Sequence, residues 1–264
     1  MMKRIVYLLL LAGAASCNNS PDTSAVTTTP PDAPKQISYS ILNTYPHDTS
    51  SFTQGLIIYN GELYEGTGLN GKSKLMKIDL KTGKPLQKID LDPKFFGEGV
   101  TILRDTVYQL TWQQKIVFVY SLKDFKKIKE FHFGTEGWGL TNDGRELIVS
   151  DGTSNLYYYD PSTFRQLRMQ TVTEGGTLSF NINELEFIDG YIYANQLNAP
   201  YLLKIDPASG SVVAKVDLTE MWKRVKAIDP QADVPNGIAY DSASKKMYVT
   251  GKLWPELYEI QLGQ

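Results

Sequence analysis

Apolar and polar residues alternate in short stretches along most of this chain, which is the pattern of half-buried β-strands. One unit recurs five times: a short apolar strand segment, whose last residue is usually tyrosine, is followed by a second apolar strand. The aligned positions are Tyr64, Tyr108, Ile148, Tyr193 and Tyr248, so the spacings are 44, 40, 45 and 55 residues. Repeats of about 40–50 residues are typical of four-stranded propeller blades. The sequence therefore predicts an all-β fold, a five-bladed β-propeller.

The two ends of the repeat array are expected to meet. The fifth copy stops at Gln264, just after its third strand, which would leave an exposed strand edge. Residues 36–45 (QISYSILNTY) alternate like a strand and precede the first copy. We expect this N-terminal strand to complete the last blade and close the ring. Only residues 218–225 (LTEMWKRV) have a helical pattern, and they fall inside the longest spacing, where an insertion is expected.

The N-terminal segment has the layout of an export signal. Residues 1–17, MMKRIVYLLLLAGAASC, contain a basic pair, a short apolar run and small residues before Cys17, the only cysteine. The run is too short to span a bilayer, and its end resembles the lipobox of bacterial lipoproteins. We therefore expect a lipoprotein-type signal peptide with lipid attachment at Cys17. Plain secretion with an unmodified cysteine is the alternative.

Residues 18–36 are small, polar and rich in proline, so we expect a flexible tether ahead of a propeller domain spanning 37–264. The expected location is the bacterial cell envelope, exported and lipid-anchored, facing the periplasm or the exterior. The charge is balanced, with 27 Lys+Arg against 29 Asp+Glu, and there is no long basic run. Nucleic acid is therefore not an expected partner.

The aligned repeats place polar and aromatic residues around the propeller axis. Ten positions before the aligned residue of the first four copies, and at the matching place in the fifth, stand Gln54, Glu98, Trp138, Asn183 and Asn236. These positions should begin the innermost strands. Four positions after the aligned residue stand Gly68, Trp112, Gly152, Leu197 and Lys252. Because the second strand runs antiparallel to the first, both rings should line one mouth.

Each ring residue has an ordinary structural interpretation beside the functional one. A glutamate at a strand start is usually solvated or capping, but Glu98 among aromatic residues at a channel mouth would be desolvated, which suits an acid/base. Trp112 and Trp138 fit a channel-filling core equally well. The amides fit backbone hydrogen bonding, and Lys252 fits a solvated strand end. His47 and His132 lie outside both rings, which disfavours a zinc site or a Ser-His-Asp triad.

Nine short segments resemble the plant and bacterial glutaminyl-peptide cyclotransferases, also called glutamine cyclotransferases. They are FTQGL, FFGEGVT, LTWQ, GWGLTNDG, SDGT, NELE, YAN, NGIAYD and VTGKLWPELYEI, in order between residues 52 and 260. The resemblance covers nearly all of residues 40–262. It implies a five-bladed propeller, in agreement with the repeat count. It also implies conversion of N-terminal glutamine to pyroglutamate with release of ammonia, an aminoacyl-group acyltransferase reaction by intramolecular cyclisation.

The resemblance also implies roles for individual residues. Glu98 matches the catalytic glutamate, and the substrate-binding residues match Phe52, Gln54, Phe96, Trp112, Trp138, Asn183 and Lys252. Glu98 would act as general base and then general acid. The scheme requires no metal or organic cofactor, although it leaves room for a structural divalent cation. The expected partners are peptides or proteins with N-terminal glutamine and, through the lipid anchor, a membrane. The expected state is a monomer.

One departure from the family pattern keeps other functions open. Where the family typically carries a tryptophan shortly after YAN, this chain has Gln196-Leu197, so the second ring loses an aromatic wall. A non-catalytic propeller lipoprotein that binds a peptide or glycan, with Glu98 as a recognition carboxylate, is the first alternative. A different propeller enzyme, such as a metal-dependent lactonase, is the second.

Overall fold

The structure is a computed structural model that describes residues 33–263. The predicted signal peptide, Cys17 and most of the predicted tether lie outside the described residues. Within residues 33–263 no helix is long and apolar enough to cross a membrane.

The described chain folds into 23 β-strands and one α-helix. In chain order the first ten strands are β1 (Lys35–Ile37), β2 (Tyr39–Pro46), β3 (Thr53–Tyr59), β4 (Glu62–Thr67), β5 (Lys74–Asp79), β6 (Lys84–Asp90), β7 (Gly97–Leu103), β8 (Thr106–Thr111), β9 (Ile116–Ser121) and β10 (Lys127–His132). The next ten are β11 (Leu140–Asn142), β12 (Leu147–Ser150), β13 (Asn155–Tyr159), β14 (Gln166–Thr171), β15 (Thr173–Glu174), β16 (Thr177–Leu178), β17 (Ile182–Ile188), β18 (Tyr191–Gln196), β19 (Tyr201–Ile205) and β20 (Val212–Asp217). Helix α1 (Thr219–Ile228) precedes β21 (Pro235–Asp241), β22 (Lys246–Gly251) and β23 (Glu256–Leu262).

Twenty of these strands form five four-stranded antiparallel blades of a propeller, which confirms the predicted fold. Blade 1 is β3–β6, blade 2 is β7–β10, blade 3 is β11–β14 and blade 4 is β17–β20. Blade 5 consists of β21–β23 and, as its outer strand, β2. The pairing of β2 with β23 is antiparallel, with Ile41 opposite Ile260 and Tyr45 opposite Leu257. The N-terminal strand therefore closes the ring as the sequence predicts.

Two small elements were not predicted. Strand β1 runs parallel to β20 at the edge of blade 4, with Lys35 opposite Ala214 and Gln36 opposite Lys215. Within the described residues the first strand thus begins at Lys35. Main-chain groups make this pairing, so an exposed polar segment can form it. The second element is the short hairpin β15–β16 between blades 3 and 4.

The helix lies where the longest repeat spacing predicts an insertion, but it extends beyond the predicted residues 218–225. It begins at Thr219 and ends at Ile228. Met221 and Val225 are buried in an apolar cluster that also contains Trp254 and Tyr258 of the last repeat. Burial of one apolar face explains why this isolated helix is stable despite having no side-chain cap.

The inner strands approach one another closely at the start of each blade. A Cβ atom at Gly139 would lie 2.0 Å from the carbonyl oxygen of Asn183, and one at Gly55 would lie 2.3 Å from the amide nitrogen of Val100. Only glycine fits such contacts between neighbouring backbones. The residue before each glycine is therefore held near the axis, which sets the position of the polar ring.

Candidate active site

A pocket of about 220 Å³ opens at the mouth that the repeat alignment predicts. All eight site residues named from the sequence line it, together with two leucines. The lining residues are Phe52, Gln54, Leu69, Phe96, Glu98, Trp112, Trp138, Asn183, Leu197 and Lys252. Side chains from all five repeats therefore meet in one concavity, as expected of small-molecule recognition.

The inner strands position the first ring of side chains. Gln54, Glu98, Asn183 and Asn236 are each the second residue of the innermost strand of their blade. Trp138 occupies the equivalent place in blade 3, where the strand itself starts two residues later. Asn236 does not line the pocket but lies behind it. The structure thus brings four of the five predicted first-ring side chains to the pocket wall.

The second ring follows the ends of the second strands. Trp112, Leu197 and Lys252 come directly after β8, β18 and β22. The glycines of this ring make room for large side chains instead of lining the pocket. A Cβ atom at Gly68 would lie 2.3 Å from the Phe96 ring, and one at Gly152 would lie 2.5 Å from the Trp138 ring. Each glycine position therefore accommodates one aromatic wall of the pocket.

The aromatic walls contact one another edge to face. The ring centroids of Phe52 and Phe96 are 6.2 Å apart at 89°, and those of Phe96 and Trp112 are 5.5 Å apart at 62°. Edge-to-face pairs of this kind stabilise a rigid arrangement. The ammonium of Lys252 lies 4.7 Å from the centre of the Phe52 ring, at cation–π distance. The aromatic residues consequently form an apolar wall that also contacts the Lys252 ammonium.

Glu98 is buried at the mouth, with 5% of its surface exposed. Among residues 33–263 no hydrogen-bond donor contacts its carboxylate. Burial raises the pKa of Glu98 well above its ordinary value of 4.5; the Lys252 charge opposes this shift and the Glu136 charge adds to it. A carboxyl group whose pKa is raised in this way keeps its proton at a higher pH than an ordinary glutamate does, which suits acid/base chemistry. The environment of Glu98 therefore matches the predicted acid/base.

Lys252 is the complementary charge of the pocket. Burial lowers the pKa of its ammonium, while the charges of Glu98 and Asp233 oppose that shift. Within the part of the chain that the structure describes, no ion pair within 4.0 Å joins Lys252 to a carboxylate. Its ammonium can therefore meet an oxygen of a bound molecule without first breaking an ion pair.

Two amides complete the polar lining. Asn236 donates from Nδ2 to Oε1 of Gln54 at 3.0 Å and to the carbonyl oxygen of Thr53 at 2.9 Å. This bond occupies the oxygen of the Gln54 amide and leaves its Nε2 as the free donor. The side-chain amide of Asn183 makes no hydrogen bond with any other described residue. Both amides can therefore donate to a carbonyl oxygen in the pocket.

Three neighbours of the predicted site were missed. Leu69 follows a ring glycine and has φ of 77°, a conformation that a strand pattern does not indicate. Glu136, two residues before Trp138, accepts hydrogen bonds from two pocket indoles. Glu184 stands where the equivalent position in the other blades is glycine, and this break in the pattern was a usable signal.

Metal ligation finds no support in the described residues. Within residues 33–263 no three His, Cys, Asp or Glu side chains come close enough to hold a metal ion. His47, one of the two histidines, is buried behind the pocket. Its Nε2 lies 3.1 Å from Oε1 of Glu65 and its Nδ1 lies 2.7 Å from the carbonyl oxygen of Trp254. The expectation about cofactors remains a prediction.

Several known proteins are similar to this chain in sequence and in fold. A sequence model of the glutamine cyclotransferase family matches residues 8–262. The glutaminyl-peptide cyclotransferase of Arabidopsis thaliana is 40% identical over 227 residues, which cover 85% of this chain and 71% of that protein. The crystal structure of Myxococcus xanthus glutaminyl cyclase superimposes with a TM-score of 0.82 at 34% identity, covering 87% of this chain and 98% of that chain.

Proposed function

The chain belongs to the glutamine cyclotransferase family, and we propose that its pocket converts the N-terminal glutamine of peptides or proteins to pyroglutamate with release of ammonia. The observation that carries this proposal is Glu98: a buried carboxyl group without a donor, facing a pocket that also holds Lys252. In class terms the enzyme is an acyltransferase that moves an aminoacyl group within one molecule.

The reaction needs a folded substrate and a proton carrier. The α-amine attacks the γ-carboxamide carbon of the same residue, so a C–N bond forms and closes a five-membered lactam. The C–N bond to the amide nitrogen then breaks, and that nitrogen leaves as ammonia. Since both reacting groups belong to one residue, holding the folded conformer supplies much of the rate enhancement. The aromatic walls restrict the substrate side chain and exclude water.

Glu98 moves the proton in this scheme. Its carboxylate accepts a proton from the attacking amine and then donates it to the departing nitrogen, so the group returns to its starting state. Gln54, Asn183 and Lys252 donate to the carbonyl oxygen as negative charge develops there. Phe52 positions the Lys252 ammonium by the cation–π contact. Every proton transfer is made by residues of this chain, and no cofactor is required.

The cellular location of the enzyme is inferred from its N-terminal sequence. We infer export to the bacterial cell envelope and lipid anchoring at Cys17, with the propeller facing the periplasm or the exterior. The segment at residues 1–17 has the charge and apolar pattern of an export signal and ends at the sole cysteine. A peptide or protein with N-terminal glutamine is the partner, and a monomer suffices because one chain supplies the whole pocket.

The test is ammonia release from a glutamine-initiated dipeptide by the full chain, with mass analysis of the pyroglutamyl product. The same dipeptide with an acetylated amine is the substrate control, because it has no nucleophile. Glu98→Gln removes the proton carrier, and we expect kcat to fall by about 10²–10⁴-fold, the usual contribution of general acid/base catalysis. Glu186→Gln is the matched control, since it removes another buried carboxyl group outside the pocket.

Other outcomes identify the alternatives. Tight binding of the dipeptide without ammonia release would favour a binding propeller. Activity on another substrate that a chelator abolishes would favour a metal-dependent enzyme. Undiminished turnover by Glu98→Gln would show that another group carries the proton.

A further inference from the structure

One carboxylate oxygen outside both predicted rings holds two walls of the pocket. Oε2 of Glu136 accepts a hydrogen bond from Nε1 of Trp112 at 2.7 Å and from Nε1 of Trp138 at 3.2 Å. Hydrogen bonds to an ionised acceptor are stronger and more directional than those between neutral groups. The shared oxygen therefore restrains the rotation of both indoles together.

The two indoles come from different blades. Trp112 follows β8 in blade 2, whereas Trp138 precedes β11 in blade 3. Each ring also has one packing contact that the sequence encodes: Trp112 meets Phe96, and Trp138 lies against Gly152. These contacts limit where the rings lie but supply no partner for the indole N–H groups. Glu136 is the one described group that joins the two walls through their polar atoms.

Glu136 also acts on Glu98 through its charge. Lys252 and Glu136 are the charged groups that influence Glu98 most, and their effects are opposite. Glu136 is only partly buried and does not line the pocket itself. A negative charge beside the pocket favours the protonated form of Glu98.

We propose that Glu136 is a positioning residue of the reaction: one carboxylate oxygen holds both indole walls, and the charge of the same group acts on Glu98. This inference rests on the proposed function of the pocket. A merely structural glutamate would stabilise the fold without moving the pH dependence of turnover, so the two roles are separable.

The Glu136→Gln variant tests the charge of Glu136 separately from its hydrogen bonds. The amide oxygen of glutamine can occupy the place of Oε2 and accept from both indoles, while the negative charge is lost. We expect the acid limb of the kcat/KM profile to move to lower pH, because removing a nearby negative charge makes Glu98 easier to ionise. KM measured above this limb should stay close to that of the wild type. An acid limb that does not move would overturn the electrostatic part of the proposal.

Glu136→Ala removes both the acceptor and the charge. We expect a higher KM and a loss of kcat/KM of up to about 10²-fold, the effect that a displacement of about 1 Å in a reacting geometry can have. The near-UV circular dichroism of the tryptophans should change in Glu136→Ala and remain close to wild type in Glu136→Gln. Wild-type kinetics and wild-type dichroism in Glu136→Ala would overturn the positioning part.

Glu146→Gln is the control. Glu146 is a partly buried glutamate of the same blade that pairs with Arg168 at 3.0 Å and does not line the pocket. The Glu146→Gln variant should leave the acid limb of the kcat/KM profile and the tryptophan dichroism unchanged.

Two readouts do not require turnover, so failure of the proposed function is distinguishable from failure of this inference. The tryptophan dichroism reports the indoles directly. The titration of the Glu98 carboxyl carbon, followed by NMR and assigned with Glu98→Gln, reports the charge effect. Glu136→Gln should lower the pKa of Glu98 in that titration even if no ammonia is released, and an unchanged titration would contradict the proposal.

Discussion

Two buried glutamates of the inner strands have opposite surroundings. Glu184 accepts a hydrogen bond at each oxygen, from the backbone N–H of Leu56 at 3.2 Å and from that of Ile238 at 2.9 Å. It extends from blade 4 to blades 1 and 5 and so joins three blades at the axis. Glu98 has no such donor among residues 33–263 and faces the pocket instead. Burial raises the pKa of both carboxyl groups.

The comparison shows that a perturbed pKa alone does not identify an acid/base. Both groups are buried, but only Glu98 has oxygens that a substrate can reach. The oxygens of Glu184 are engaged by backbone amides, whose bonds would be weakened if it carried a proton through a reaction cycle. Access and free hydrogen-bonding capacity therefore separate the functional carboxyl group from the structural one.

The largest effect on stability is expected from Glu184→Ala. The backbone amides of Leu56 and Ile238 would lose their acceptor in a buried place, at a cost of about 1–3 kcal/mol for each unsatisfied N–H. The free energy of unfolding should fall by roughly 2–6 kcal/mol, measured by denaturant titration. A loss under about 1 kcal/mol would mean that the axial bonds do not hold the blades together.

The largest effect on the chemistry after Glu98 itself is expected from Lys252→Met. We expect kcat to fall by about 10²–10³-fold, as when one oxyanion donor is removed. The acid limb of kcat/KM should move to higher pH, because the Lys252 charge lowers the pKa of Glu98. Lys246→Met is the control and should change neither quantity, because Lys246 lies at the opposite end of β22 and pairs with Glu259 at 3.0 Å.

A smaller effect is expected from Asn236→Asp. The aspartate cannot donate to Oε1 of Gln54, so the Gln54 amide should turn and present its oxygen to the pocket. Loss of the Gln54 N–H donor from the pocket should reduce kcat about tenfold or more. The midpoint of thermal unfolding should fall because the carbonyl oxygen of Thr53 also loses the N–H of Asn236. Steady-state kinetics measured well below that midpoint would test the orientation of the amide. Unchanged kcat would exclude Gln54 as an oxyanion donor.

The smallest effect is expected from Glu186→Gln, which tests whether burial without pocket access affects only stability. Burial raises the pKa of Glu186 to about 8 from an ordinary value of 4.5. The folded state therefore holds this proton over a range in which the unfolded state has lost it. The stability due to Glu186 is complete below about 4.5 and is lost as the pH rises through about 8.

Glu186→Gln should flatten that decline, and its amide oxygen can still accept from the backbone N–H of Tyr240. Denaturant titrations of both proteins between these two pH values would measure the slope. Equal slopes would mean that Glu186 does not titrate in this range.

The repeat pattern predicts most of this molecule because each blade reuses the same strands. The equivalence of Gln54, Glu98 and Asn183 follows from identical spacing, and spacing also predicts that β2 closes blade 5. The repeat pattern cannot predict features that depend on local backbone conformation or on a single residue that departs from the repeat. The parallel edge strand β1 forms through main-chain groups, and Glu136 enters the site only because two indoles point toward it.

The repeat pattern also treats Glu98 and Glu184 differently. The ring position indicates Glu98, but it does not indicate Glu184, whose place is occupied by glycine in the other blades. At the equivalent positions Gly55, Gly99 and Gly139 a Cβ atom would lie 2.0–2.5 Å from a neighbouring backbone. The Glu184 side chain instead bonds to the backbones of two other blades. The deviation from glycine was therefore the sequence signal for the axial carboxylate.

The most direct test of this account measures turnover and the free energy of unfolding for Glu98→Gln and Glu184→Gln side by side. The account predicts that Glu98→Gln loses turnover and keeps its stability. It predicts that Glu184→Gln keeps turnover per folded molecule and loses stability, because its amide group opposes a backbone N–H. Turnover retained in Glu98→Gln, or turnover lost in a fully stable Glu184→Gln, would contradict the account.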